Sequence, residues 1–204
     1  MGATVESARR VRTADGGQIT ADLATAERPW AGAVVCHPHP AYGGDRHNAV
    51  VDRVFHALAA AGLTAARFDF RAADADSARL DVLAALDLVA EPLAGAGPLW
   101  LVGYSFGADV ALAVGDERVA GWAAVAPPLR FGPQAVPAGG DGRPALVLAA
   151  AHDQFTPLDR LRAATAAWPD ATVVEIPMAD HFLAGAAGRV ADEVLAWLRA
   201  RSAG

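Results

Sequence analysis

Apolar and polar positions along the chain follow two rhythms. Thr4–Arg12 and Gln18–Thr25 are short segments divided by Asp15-Gly16-Gly17, and this spacing predicts an opening β-hairpin. Beyond them the rhythm changes. Ala31–Cys36 is a compact apolar run, as in a strand buried on both faces. Val50, Val51, Val54, Phe55 and Leu58 then recur at helical spacing up to Gly62. Leu63–Phe70 reads as the next strand, and Leu80, Leu83, Leu86 and Val89 mark a second helix. Leu99–Val102 is again a strand, with a helix over Ala108 to Val114. Val119–Ala126, Ala145–Ala150 and Thr172–Ile176 supply three more strands. Thr156-Pro157 predicts a helix N-cap followed by a first-turn proline. Val190, Val194, Trp197 and Leu198 give a last helix one apolar face.

Alternating strands and helices predict an α/β protein with a mostly parallel sheet covered on both faces. The N-terminal hairpin adds antiparallel strands. No repeat or linker divides the chain, so a single domain over 1–204 is expected. The one irregular stretch, Pro127–Pro144, is too short for a helical cap domain and long enough for a flap over a site.

Composition narrows the functional classes. Hydrophobic residues make up 53%, enough for a sizeable core. The net charge of −6 argues against a nucleic-acid surface, which needs a basic field. All 17 basic residues are arginine, so a Schiff-base lysine and a P-loop lysine are excluded. The single cysteine, Cys36, excludes an internal disulfide and a four-cysteine zinc site. Glu6, Arg9, Arg10 and Arg12 replace the apolar core of a signal peptide, and no uncharged run is long enough to span a bilayer. A cytoplasmic protein without a membrane partner is expected.

Ligands of such sheets sit beyond the carboxyl ends of the strands. The polar residues there are His37 and His39, then Asp69 and Arg71, Ser105, His152 and Asp153, and Asp180 and His181. Gly103-Tyr104-Ser105-Phe106-Gly107 stands between a strand and a helix. In that context a serine sits on a sharp turn with its hydroxyl exposed as a nucleophile, and Ser, Asp, His is the chain order that goes with it. A serine hydroxyl needs a base, and His181 follows the last strand. Asp153 stands before a helix start, where backbone N–H groups can fix a carboxylate that orients the imidazole. Asp180 is the poorer acid, because neighbouring side chains on an extended segment diverge. Asp159 fits a first-turn helix carboxylate. An oxyanion site needs two N–H donors. The Phe106 amide is one candidate. In the loop after Cys36, Pro38 and Pro40 have no N–H, which leaves the His39 amide first and Ala41 next.

Together these residues resemble the α/β-hydrolase superfamily. Val35-Cys36-His37-Pro38-His39-Pro40-Ala41-Tyr42-Gly43-Gly44 is similar to the C-H-P-H-P-x-x-G-G opening of a small lidless bacterial subgroup related to the dienelactone hydrolases. The resemblance continues through Asp69-Phe70-Arg71, the Ser105 pentapeptide, Asp153-Gln154-Phe155-Thr156-Pro157 and Asp180-His181-Phe182. It implies an α/β-hydrolase fold without a cap domain, Ser105 as nucleophile, His181 as base, Asp153 as acid, and the Phe106 and His39 amides as oxyanion hole. The subgroup gives little help with substrate. The triad is expected to serve a serine hydrolase of carboxylic esters or thioesters that needs no cofactor. With no cap domain, the open site is expected to take short-chain acyl groups. The subgroup continues its Phe-Arg strand end into a glycine-rich turn. Here the chain reads Ala72-Ala73-Asp74-Ala75-Asp76, which leaves the pocket rim open, and dienelactone hydrolases use cysteine where Ser105 stands.

Other readings compete. Tyr42, Phe70, Leu129, Phe155 and Phe182 are candidates for the substrate pocket, and each fits equally as core or surface. His37 and His39, with His47, have the chemistry of a zinc site, although the intervening proline favours a structural loop. Asp69 and Arg71 suit a structural ion pair or loop anchor better than a substrate contact. Cys36 fits a small buried residue better than a reactive thiol. A non-catalytic binding module on the same scaffold is the alternative from a different class. The sequence leaves the oligomeric state open.

Overall fold

The computed structural model describes residues 3–130 and 136–202. Eight strands form one sheet in the order β1-β2-β4-β3-β5-β6-β7-β8. They are β1 (Thr4–Arg12), β2 (Gln18–Thr25), β3 (Gly32–Cys36), β4 (Thr64–Phe68), β5 (Leu99–Tyr104), β6 (Val119–Val125), β7 (Ala145–His152) and β8 (Ala171–Asp180). The hairpin β1–β2 is antiparallel, as the Asp15-Gly16-Gly17 turn predicts, and β2 joins β4 antiparallel. Every other pairing is parallel.

Five helices cover the faces: α1 (Ala49–Ala60), α2 (Ala75–Leu93), α3 (Phe106–Ala113), α4 (Leu158–Thr165) and α5 (Ala187–Ser202). Side chains of a strand alternate between faces, and β5 shows the consequence. Leu99 and Leu101 join the core under α2 and α3, while Trp100, Val102 and Tyr104 join the core under α1 and α5. Being buried on both faces is why β3 and β5 read as apolar runs rather than alternating ones.

Three expectations need correcting. The strand expected over Leu63–Phe70 stops at Phe68: the Asp69 amide still donates to Thr20 O of β2, but the Phe70 amide turns to the His37 ring. The strand expected to end at Ile176 runs to Asp180, so His181 follows it directly. The N-cap of α4 is Pro157 rather than Thr156, whose hydroxyl is buried without a hydrogen-bond partner among the described residues. The irregular stretch divides. Its first residues leave β6, and Val136 and Ala138 are buried in the core shared with α3. Residues 131–135 of the flap expected over Pro127–Pro144 lie outside the described residues.

Candidate active site

The strand order reverses direction at β3 and β5, which run side by side with their successors on opposite sides. The loops after these two strands part there and open a crevice at their carboxyl ends. Ser105 stands at the end of β5 as the N-cap of α3, with φ 53° and ψ −119°. A left-handed φ is costly for a residue with a Cβ and is seen where surrounding structure enforces it. The enforcing contacts are close. A Cβ on Gly103 would meet Gly107 O at 2.3 Å, and one on Gly107 would meet Cys36 O and His37 O at 2.5 Å. The two glycines of the pentapeptide thus let α3 fold back onto β5 and lie against the end of β3. The Ser105 amide is held by Val125 O at 2.9 Å.

Two other strand ends complete a hydrogen-bonded line. Ser105 Oγ lies 2.9 Å from His181 Nε2, and His181 Nδ1 lies 2.8 Å from Asp153 Oδ2. The other Asp153 oxygen accepts the Phe155 and Thr156 amides at 2.8 and 3.0 Å. Burial works against charge on Asp153, yet the His181 ring and these two amides outweigh it and hold the carboxyl below its ordinary value. A carboxylate there requires a proton on Nδ1, which leaves Nε2 free to accept from Ser105. Tyr104 adds a brace, since its hydroxyl donates to His181 O at 2.9 Å. Asp180, the poorer acid of the sequence, turns away and accepts the Phe182 amide.

The loop after β3 is fixed from beneath. His37 Nδ1 bonds Pro38 O at 2.5 Å and its Nε2 accepts the Phe70 amide at 2.9 Å. Burial holds the His37 imidazole below its ordinary value against the pull of Pro38 O, Asp69 and Asp45, as a neutral bridge requires. Both nitrogens are engaged, which speaks for the structural loop over the zinc reading. Among the described residues no group of three or more His, Cys, Asp or Glu side chains is placed to hold a metal. Farther along, the Ala41 amide donates to His39 Nδ1, the Tyr42 and Gly44 amides to His39 O, and the Gly43 amide to Pro40 O. Ala41 therefore drops out as a second donor. With the two prolines, this leaves the His39 N–H as the loop's free donor among these positions. The Phe106 N–H likewise has no acceptor among the described residues.

Ser105, His39, Phe106 and His181 open onto a cleft of about 520 Å³. Tyr42, Phe155 and Phe182 line it and are themselves well exposed. Leu129 does not line it. Its side chain packs on the core, and its neighbours Pro128 and Arg130 form that wall instead. Phe70 is also no lining residue, being buried edge-on against His37, Phe68 and Phe106. Ala72–Asp76 is absent from the rim. Asp74 caps α2 by accepting the Ser77 amide, so this departure from the glycine turn starts a helix away from the cleft. Asp69 and Arg71 do not pair with each other. Asp69 binds Arg46, while Arg71 bridges Asp81 and Asp15, anchoring loops as expected. Cys36 is fully buried, and burial pushes its thiol up.

Sequence reasoning missed Pro128, Arg130 and Asn48 on the cleft wall, the Tyr104 brace, and Asp109. For Asp109 a signal existed: it is the one charged residue in an otherwise apolar helix.

This sheet, its opening hairpin and the strand-end placement of Ser105, Asp153 and His181 are those of the α/β-hydrolase fold. The chain has that fold. Comparison with solved structures agrees. An α/β serine hydrolase homologue from Coxiella burnetii superposes with a TM-score of 0.81 at 24% identity, covering 96% of this chain and 99% of that one. An α/β serine hydrolase without lid from Xanthomonas campestris gives 0.77 at 25% identity over 97% and 95%. A dienelactone hydrolase from Anabaena variabilis gives 0.81 at 17% identity over 98% of each chain. No family model matches the chain. An uncharacterized protein of Rickettsia prowazekii is 32% identical over 124 residues, 55% of this chain and 52% of that protein. The match thus spans about half the length of that relative. No helix among the described residues is long and apolar enough to cross a membrane.

Proposed function

We propose that the chain is a serine hydrolase of short-chain carboxylic esters or thioesters. The observation that carries this reading is the continuous line from Ser105 Oγ through both ring nitrogens of His181 to Asp153, opening onto the cleft. Ser105 Oγ attacks the carbonyl carbon as its proton passes to His181 Nε2. Asp153 stabilises the imidazolium and holds its tautomer. The Phe106 and His39 N–H groups, left without internal acceptors, receive the oxyanion. His181 returns the proton to the departing alcohol or thiol, leaving an acyl group on Ser105. A water then gives its proton to His181 and attacks the acyl carbon, which frees the acid and restores Ser105. No metal or organic cofactor enters these steps. The cleft volume suits a small molecule, and the exposed Tyr42, Phe155 and Phe182 give varied alcohol groups apolar surface at the mouth.

Ser105→Ala tests the reading. Loss of a triad serine costs on the order of 10⁶-fold in kcat. Nitrophenyl acetate hydrolysis at the parental rate by the variant refutes the mechanism, as does a fluorophosphonate adduct on any residue other than Ser105. The hydrogen-bond distances also weigh against the binding-module alternative, which would be favoured by a triad out of hydrogen-bond reach.

A further inference from the structure

Asp109 is a buried acid in an apolar helix. It sits one turn beyond Ser105 in α3, its amide accepted by Ser105 O at 3.2 Å, and the residue is 2% exposed in a helix whose other residues are apolar. No arginine forms an ion pair with it among the described residues. Instead its two oxygens each take one backbone amide from the loop after β6: Oδ1 accepts Leu129 N–H at 2.8 Å and Oδ2 accepts Arg130 N–H at 2.9 Å. That loop is turned by two non-glycine residues in the left-handed region, Ala126 at φ 44° and Leu129 at φ 54°. Such residues persist only where surrounding structure over-determines them: the Ala126 amide is held by Leu148 O at 2.7 Å, and the Asp109 carboxylate holds the turn at Leu129. The same loop carries Pro128 and Arg130 onto the wall of the cleft, whereas Asp109 does not line it.

We propose that Asp109 is a positioning residue for substrate selection: its carboxylate clamps the 128–130 loop to the nucleophile helix and so fixes the wall formed by Pro128 and Arg130. This inference rests on the esterase reading above. A buried acid without an ion-pair partner is costly to keep, and burial pushes the Asp109 carboxyl up to about 6, against the pull of both amides and of the Arg130 charge. An apolar residue of similar size would pack in α3 without that cost. It could not hold two amides of a strained loop in register with Ser105.

Asp109→Asn tests the clamp. The isosteric amide keeps one acceptor and turns an N–H donor toward the other loop amide, so one of the two bonds is lost. Two readouts are needed. Native-state hydrogen exchange at the Leu129 and Arg130 amides should accelerate about tenfold, with the α3 amides unaffected. KM should rise about tenfold for nitrophenyl butyrate and hexanoate, with kcat changing by less than about twofold. Should Asp109→Asn fail to fold, Leu129→Gly keeps the acid and releases the turn from its left-handed constraint, and the same rise in KM is expected. Unchanged exchange and unchanged KM across the ester series in the folded variant overturn the proposal. So does an equal fall in kcat for every ester, which marks a purely structural role. A wild-type chain that hydrolyses none of these esters sinks the esterase reading instead, and the exchange readout, which needs no substrate, still decides whether Asp109 clamps the loop.

Discussion

Gly107→Ala separates the steric account of the serine turn from a merely conformational one. Gly107 lies in the first turn of α3, where helix propensity alone favours alanine by about 1 kcal/mol. Its φ is not left-handed, so backbone strain does not oppose the change. Space does. The added methyl carbon would stand 2.5 Å from both Cys36 O and His37 O, where contacts under 3.0 Å are essentially never seen. The intruded atoms are backbone, so no side chain can rotate away. The end of β3 and α3 must separate by about 0.5 Å to reach 3.0 Å and by about 0.9 Å to reach an ordinary 3.4 Å. Overpacking of this kind costs about 1–3 kcal/mol, which outweighs the propensity gain.

The catalytic consequence is larger. His37 is two residues before His39, and the proposed oxyanion site lies between the His39 and Phe106 amides on the two parts being forced asunder. Useful donors sit within about 2.7–3.1 Å of the oxyanion, a window narrower than the required displacement. Losing one such donor costs about 10²–10³-fold in kcat. The assay is kcat and KM on nitrophenyl acetate together with urea unfolding. Gly140→Ala serves as the control, since nothing lies within 4 Å of a Cβ there. Gly107→Ala should fall about 10²-fold or more in kcat and lose up to about 2 kcal/mol of net stability, with the control unaffected. A Gly107→Ala protein with parental kcat and an unshifted urea midpoint refutes the reasoning.

Three further outcomes follow from the same site. Asp153→Asn keeps the shape but not the tautomer of His181, and kcat should fall on the order of 10³–10⁴-fold with little change in KM; a loss under tenfold would exclude Asp153 as the acid. Tyr104→Phe strands the buried His181 carbonyl, so chemical unfolding should show a loss of about 1–3 kcal/mol, with kcat falling more than KM changes; equal stability would remove the brace. For Asp109, burial raises the carboxyl from an ordinary 3.8 to about 6. Protonation therefore stabilises the fold, fully below pH 3.8 and progressively less as pH rises through 6. At about 1.4 kcal/mol per pH unit, wild type should lose on the order of 3 kcal/mol relative to Asp109→Asn between pH 4 and pH 7.5. A pH-independent difference in urea-unfolding energy contradicts it.

What could be read from the sequence divides along a physical line. The Ser105 turn was legible because its two glycines stand close together along the chain and mark contacts that no Cβ permits. Asp153 and His181 were legible because a parallel sheet delivers the end of each strand to one edge, whatever the sequence distance between them. Where side chains face was not legible. Leu129 and Phe70 are apolar residues in loops, and nothing local told that Leu129 turns into the core while Pro128 and Arg130 face the cleft. Ala72–Asp76 was misplaced for a related reason. A departure from a glycine turn marks a changed backbone, but only the fold shows that Asp74 uses it to cap α2 away from the cleft.

Asp109 shows a deeper limit of local reading and carries the proposal for where substrate preference resides. An acid inside an apolar helix is a visible anomaly, yet its partners are backbone amides twenty and twenty-one residues away. Any residue except proline carries such an amide, so the identities of Leu129 and Arg130 hold no trace of the bond. The proposed geometry of attack needs only the ends of β3, β5, β7 and β8. The wall proposed to touch the remainder of a substrate hangs from β6, a central strand whose following loop supplies no group to that chemistry. A loop free of catalytic duty can change its length and residues without disturbing Ser105, provided something ties it back to the nucleophile helix. Asp109 is placed to be that tie. The proposed division of labour is therefore chemistry from the β3, β5, β7 and β8 ends, and selection from the β6 loop, coupled through one buried carboxylate.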